Sequence, residues 1–116
     1  MAKNVLFIGW TRPARGREAA ATEVFQSCLN YLETKQKEKA IDRFEPIFLV
    51  PHGGDLNGFI LVHGSSDKLA KIRWDDRFLD ILTAANFNVD GFGTIDGWSG
   101  EGVPEMMARW QKHITK

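Results

Sequence analysis

The chain has 116 residues, with 15 basic and 15 acidic side chains and no net charge. That length holds one hydrophobic core and not two, and the balanced charge leaves no global field to draw the protein to nucleic acid or to an anionic membrane. One cysteine, Cys28, excludes an internal disulfide, and three scattered histidines offer no metal-ligand spacing, so neither a metal nor a cofactor is expected. Apolar runs such as Val5–Ile8 and Ile47–Val50 fall far short of the roughly 20 residues that cross a bilayer, and Met1-Ala-Lys-Asn4 leads into a strand with no secretory pattern. The expectation is one cytoplasmic domain over residues 1–116.

In chain order, Asn4–Thr11 reads as a strand with both faces apolar, stopped by Arg12-Pro13. A long helix follows from about Glu18 to Ala40, with Ala21, Val24, Phe25, Cys28, Leu29 and Leu32 at three- and four-residue spacing. Phe44–Pro51 is the second strand, and Pro46 argues for an edge position. The His52-Gly-Gly-Asp55 turn between two apolar runs makes it an antiparallel neighbour of the next strand. In that next stretch, Leu56–Ser66, the run Phe59–Val62 is apolar at every position, as in a central strand covered on both faces. Ser65 and Ser66 are N-cap candidates, and the helical region they open breaks at Trp74-Asp-Asp76, where Asp75 or Asp76 restarts it. Val89–Trp98 is a glycine-interrupted last strand. Pro104 fits the first turn of a final helix whose Val103, Met106 or Met107, Trp110 and Ile114 form one stripe.

The order strand, helix, strand, strand, helix, strand, with right-handed crossovers, gives a split β-α-β fold: a four-stranded antiparallel sheet with the first and third strands central and helices on one face. Both inner strands carry apolar side chains at both parities, and the final helix is not expected to cover all of the second face. A second copy packed sheet against sheet covers it most simply, so a homodimer is expected.

Gly58-Phe-Ile-Leu-Val-His-Gly64 running into Ser-Ser-Asp-Lys-Leu, then a broken helix and Asn88-Val-Asp-Gly-Phe92 leading into a last strand, resembles the dimeric α+β barrel superfamily of ferredoxin-like proteins. The resemblance covers most of the chain and rests on element order and glycine placement. It implies an α+β, ferredoxin-like βαββαβ fold with an additional C-terminal helix. That superfamily holds cofactor-free monooxygenases, isomerases, small-ligand sensors and many uncharacterised small bacterial proteins.

Two ends of the sheet collect candidate site residues. At one, Trp10, Arg12 and Arg15 approach His52 and the Gly53-Gly54-Asp55 turn, where guanidinium groups and free N–H groups at a helix start would suit an anionic ligand; the same arginines also read as a solvated loop. At the other, His63 and the two serines meet Asp96, Trp98 and Ser99. A histidine beside an aspartate would serve as a general base and a tryptophan as a pocket wall, although such a histidine also commonly satisfies a backbone carbonyl. Trp74, Trp98 and Trp110 equally read as packing residues, with Met106 and Met107 as filler, Cys28 as an inert buried thiol and His113 as solvated.

No glycine-rich segment carries the lysine and serine or threonine of a phosphate loop, and the central strands carry no lysine or arginine, which argues against an RNA-binding sheet. The leading functional expectation is a homodimer that binds a small apolar or aromatic molecule between sheet and helices or at a barrel end. A cofactor-free enzyme of the monooxygenase or isomerase kind, with His63, Asp96 and His52 as catalytic candidates, is the alternative. A structural interaction module is the third.

Overall fold

The computed structural model describes residues 3–114. Its strands are β1 (Asn4–Trp10), β2 (Arg12–Pro13), β3 (Arg43–Phe48), β4 (Gly58–Gly64), β5 (Val89–Asp90) and β6 (Gly93–Trp98). The helices are α1 (Glu18–Lys37), α2 (Ser66–Arg73), α3 (Asp76–Asn88) and α4 (Gly102–Ile114). The main sheet has the order β3-β4-β1-β6 with every pairing antiparallel, so the first and third of its strands are central, as the sequence implies.

Register decides what each face carries. Leu6 pairs with Val62 and Ile8 with Ile60, and these four side chains are buried beneath the helices together with Leu32, Ile41, Leu69, Ile72 and Phe78. The alternate residues, Val5, Phe7, Phe59, Leu61 and His63, share the opposite face. There Phe7 and Phe59 stack with centroids 5.2 Å apart, and Phe7, Phe59 and Leu61 are only half-buried.

Local chemistry explains most element ends. Ser65 caps α2, its hydroxyl accepting from the Lys68 N–H at 3.2 Å. Asp75 stands at the N-cap position of α3, yet its side chain makes no capping bond, contrary to the role expected for it. Its carboxylate accepts from the Tyr31 hydroxyl at 2.6 Å instead, tying α1 to the junction between α2 and α3. Burial and then this bond push the Tyr31 pKa up, so the phenol stays protonated and keeps donating.

Three boundaries differ from the sequence reading. The first helix stops at Lys37, because Lys39 takes a left-handed φ of 63° and the chain turns. The second strand ends at Phe48 rather than Pro51. The last strand is two: Gly91, at φ 65°, bends the chain so that β5 leaves the main sheet and pairs with β2. Thr11 Oγ1 lies where a Gly91 Cβ would stand, so this turn accepts only glycine. Arg12-Pro13, read as a strand stop, thus forms half of a separate two-stranded ribbon.

Trp74, Trp98 and Trp110, read as packing residues of a core or a dimer interface, lie outside the core: in the single chain they are 76%, 56% and 62% exposed. No helix among the described residues is long and apolar enough to cross a membrane.

Replacing Tyr31 by Phe should lower the unfolding free energy by about 1.5 kcal/mol, since it leaves the Asp75 carboxylate without its donor. Urea denaturation of the two proteins reads this directly, and coincident curves would deny the bond its role.

Candidate functional site

The helix-covered face is not filled at the end where β1 and β3 finish. Trp10 and Phe48 both pair with Gly58, one on each side, and all three point at the helices. Gly58 has no side chain, so the Trp10 ring leans over it; an added Cβ would lie 2.6 Å from the indole. Phe25 of α1 closes the group, with centroids 5.6 Å from Trp10 and 5.3 Å from Phe48. Trp10 and Phe48 meet edge to face at 6.2 Å.

Behind these rings lies a cavity of about 440 Å³ between the sheet and the α1–α3 pair. Small residues on the two helices make it: Ala21 and Thr22 on α1, and Ala85 on α3, stand where larger side chains would close the gap. Ile8 and Ile60 form the floor, Ile81 and Leu82 a side, and Pro13, Val89 and Phe92 of the ribbon region the far wall. No charged residue and no histidine lines it. The polar groups within reach are the Thr22 hydroxyl, which already donates to the Glu18 carbonyl at 2.9 Å, the Trp10 indole N–H and the Cys28 thiol. Burial pushes the Cys28 pKa from 9.0 to about 12, so the thiol is neutral and weakly nucleophilic.

Of the residues singled out in the sequence, Trp10 is in this cavity wall. Arg12 and Arg15 are exposed on the adjoining β2 and loop, and among the described residues no carboxylate forms an ion pair with them. The β1 end and the glycine turn do meet, through Asn57, whose side chain donates to the Thr11 carbonyl at 2.7 Å and whose N–H donates to the Trp10 carbonyl at 3.0 Å. His52 is exposed, with Nδ1 3.2 Å from its neighbour's Val50 carbonyl.

His63 and Asp96 are not brought together. His63 pairs with Val5, whereas Asp96 pairs with Leu6, so the two side chains stand on opposite faces of the sheet. His63 is buried on the open face with Nε2 3.4 Å from Glu45 Oε1, short of hydrogen-bond geometry. Asp96 lies across the sheet, ion-paired to Arg73 at 3.0 Å in a second cleft of about 420 Å³ that Trp74, Ser66 and Leu69 also line. Trp98 is exposed near that cleft and lines neither hollow. Among the described residues no group of three or more His, Cys, Asp or Glu side chains is placed to hold a metal ion.

Sequence reasoning expected a binding space between sheet and helices but, apart from Trp10, did not name the residues that line it. The signal lay in Gly58 between two aromatics and in alanines on inward helix faces, a pattern of missing bulk that is visible only once register pairs them.

Two predictions come from this geometry. Gly58→Ala should displace the Trp10 ring, seen as a change in near-ultraviolet circular dichroism with the far-ultraviolet spectrum kept; unchanged aromatic signals would place Trp10 elsewhere. For Cys28, the folded pKa is raised, so the stability owed to the neutral buried thiol is complete below pH 9.0 and is lost as pH climbs towards about 12. The stability gap between wild type and Cys28→Ala should therefore narrow over that window, and a constant gap would show that the thiol is not buried in the folded chain.

No family model and no curated protein matches the sequence. Solved structures do. A dimeric protein of unknown function and ferredoxin-like fold from Bacteroides fragilis superposes with a TM-score of 0.63 at 9% identity, covering 85% of this chain and 98% of that one. SnoaB, a cofactor-independent oxygenase from Streptomyces nogalater, superposes with a TM-score of 0.53 at 17% identity, covering 85% of this chain and 93% of that one. The four-stranded antiparallel sheet, its strand order and these two likenesses agree: the chain has the ferredoxin-like α+β fold, with an additional C-terminal helix.

Proposed function

We propose that the protein is a cytoplasmic homodimer that binds a small neutral apolar or aromatic molecule in the cavity between its sheet and the α1–α3 pair. The observation that carries this is the cavity's lining. About 440 Å³ lies within the range that small-molecule pockets occupy, and the walls are aliphatic and aromatic with no charge. A charged ligand would lose its hydration there without a counter-ion, whereas an apolar one gains roughly 25 cal/mol for each Å² it removes from water. Trp10, Phe25 and Phe48 offer ring edges and faces to an aromatic guest. The exposed Arg12 and Arg15 flank this end of the sheet, where they would favour a ligand that keeps a polar or anionic tail outside.

The homodimer part rests on the open sheet face, where Phe7, Phe59, Leu61, Ile47 and Ile95 stand uncovered or half-covered. The similar protein from Bacteroides fragilis is described as a dimer. Two such faces packed together would bury them.

Catalysis is the second reading, because SnoaB, which shares the fold, is described as a cofactor-independent oxygenase. On this scaffold His63, Asp96 and His52 would have to supply the acid–base chemistry, and all three lie outside the cavity lining. Binding is therefore the better supported of the two. It calls on no cofactor.

A neutral fluorescent probe, N-phenylnaphthylamine, tests the cavity. It should bind saturably, one molecule per chain, and at saturating excess raise the unfolding free energy by about 2.7 kcal/mol at a hundredfold of its dissociation constant. Ala85→Phe fills the cavity and should abolish binding, whereas Leu61→Ser on the open face should leave it intact. Equal binding by wild type and Ala85→Phe would sink the proposal. Turnover lost in His63→Ala with probe binding kept would favour the enzymatic reading.

A further inference from the structure

Among the described residues, four of the eleven exposed large apolar side chains sit on α4: Val103, Met107, Trp110 and Ile114. Their spacing of four, three and four residues is that of alternating d and a positions of a heptad, a narrow seam that fits another helix. In the same register the flanking e and g positions are Pro104, Met106, Gln111 and His113, none of them an aspartate, glutamate, lysine or arginine. The charged residues Glu105, Arg109 and Lys112 all fall on the opposite side.

Among the described residues the chain's own body holds this helix by its first turn, while Arg109 and Lys112 are exposed like the seam. Gly102 is buried with its Cα against the Lys3 carbonyl, where a Cβ would clash with the backbone, and Lys3 Nζ lies 2.6 Å from Glu105 Oε2. The first turn is thus seated by its charged side, and the seam is turned away from the domain that carries it. Exposure along the seam rises from 45% at Val103 to 70% at Ile114. The radius of gyration, 15.8 Å, also exceeds the roughly 13 Å of a compact domain of this length.

We propose that α4 is an assembly helix: the seams of two copies pair across a two-fold axis, adding a helix–helix contact to the sheet-face dimer. This rests on the homodimer reading above and not on the cavity. A second copy is the occupant the surface favours, because an isologous contact matches a seam to itself, and no aspartate, glutamate, lysine or arginine borders this seam to select a different partner. Area points the same way: four strands about 4.8 Å apart and about 23 Å long project a sheet face of roughly 450 Å², and a helix about 20 Å long and about 10 Å across projects roughly 200 Å² more, so seam pairing would enlarge the dimer contact by nearly half. Pairing of α4 alone would be too short to hold, since isolated helices under about 12–15 residues are marginal.

The test combines cross-linking with dissociation constants. In an antiparallel pair Met107 meets the partner's Trp110, and in a parallel pair each meets its own copy, so Met107→Cys with Trp110→Cys covers both geometries. Under mild oxidation this variant should form a covalent dimer, and Lys112→Cys, on the far side, should not. Met107→Glu with Trp110→Glu should weaken dimerisation at least about 30-fold, with the helical circular dichroism kept. Cross-linking no greater than in the Lys112→Cys control, or an unchanged dissociation constant in a dimeric wild type, would overturn the α4 pairing and leave the sheet-face dimer standing. A wild type that is monomeric throughout would sink both and leave the cavity untouched.

Discussion

The pairing of β1 with β4 is the constraint on which the rest of the molecule depends. Both strands are apolar at nearly every position, so burial alone would accept either register; the antiparallel pairing of Leu6 with Val62 and Ile8 with Ile60 chooses. A slip of β1 by one residue would exchange Leu6 and Ile8 for Val5 and Phe7 under the helices and carry Trp10 away from Phe25, and the same slip of β4 would exchange Ile60 and Val62 for Phe59 and Leu61 and bring His63 to the helix face. The helices resist it because their inward residues, Cys28, Leu32, Ile72 and Phe78, are already fitted to one set of partners. Parity also separates His63 from Asp96, two residues that share an end of the sheet but not a face.

That separation marks what could be read from the sequence and what could not. Element order, the central place of Phe59–Val62 and the edge place of the strand with Pro46 were legible, because each follows from periodicity or from a missing N–H. So was the Ser65 cap. The departures all involve residues whose role is set by a distant partner. Asp75 has the ordinary features of a cap, but Tyr31, 44 positions earlier in the chain, takes its carboxylate. Arg12-Pro13 looks like a stop, and becomes a strand only because Gly91 turns Val89-Asp90 towards it. Trp74 and Trp98 have the composition of core residues and lie outside it, since bulk shows burial on average and not in a given place.

The cavity extends the same logic from contacts to their absence. Sequence patterns report where apolar mass is, and a binding site of this kind is where apolar mass is missing. Ala21 and Ala85 are good helix formers on inward faces, unremarkable until α1 and α3 are set side by side over Ile8 and Ile60. A core packed to ordinary density would carry leucines there, and each void of this kind costs stability through lost transfer and dispersion energy. At the other end Phe78, Leu69 and Ile72 are buried at 3% exposure or less, and the second cleft, of about 420 Å³, is bordered by the Arg73–Asp96 ion pair, Asn4 and Ser66, so its lining is part polar where that of the cavity is apolar.

The molecule therefore divides its tasks along the strand direction. Where β1 and β3 end, the helix face is hollow, aromatic and bordered by free guanidinium groups. Where β4 and β6 end, the helix face holds the Arg73–Asp96 cleft, and the chain leaves the sheet through Ser99 and Gly102 into α4, a helix whose apolar stripe is exposed among the described residues. A ligand at the first end would be sensed through Trp10, which sits on Gly58 at the margin of the sheet; a partner at the second would be sensed through Gly102, seated on Lys3 at the start of β1. Both contacts lie at the ends of β1: Trp10 closes the strand, and Lys3 immediately precedes it.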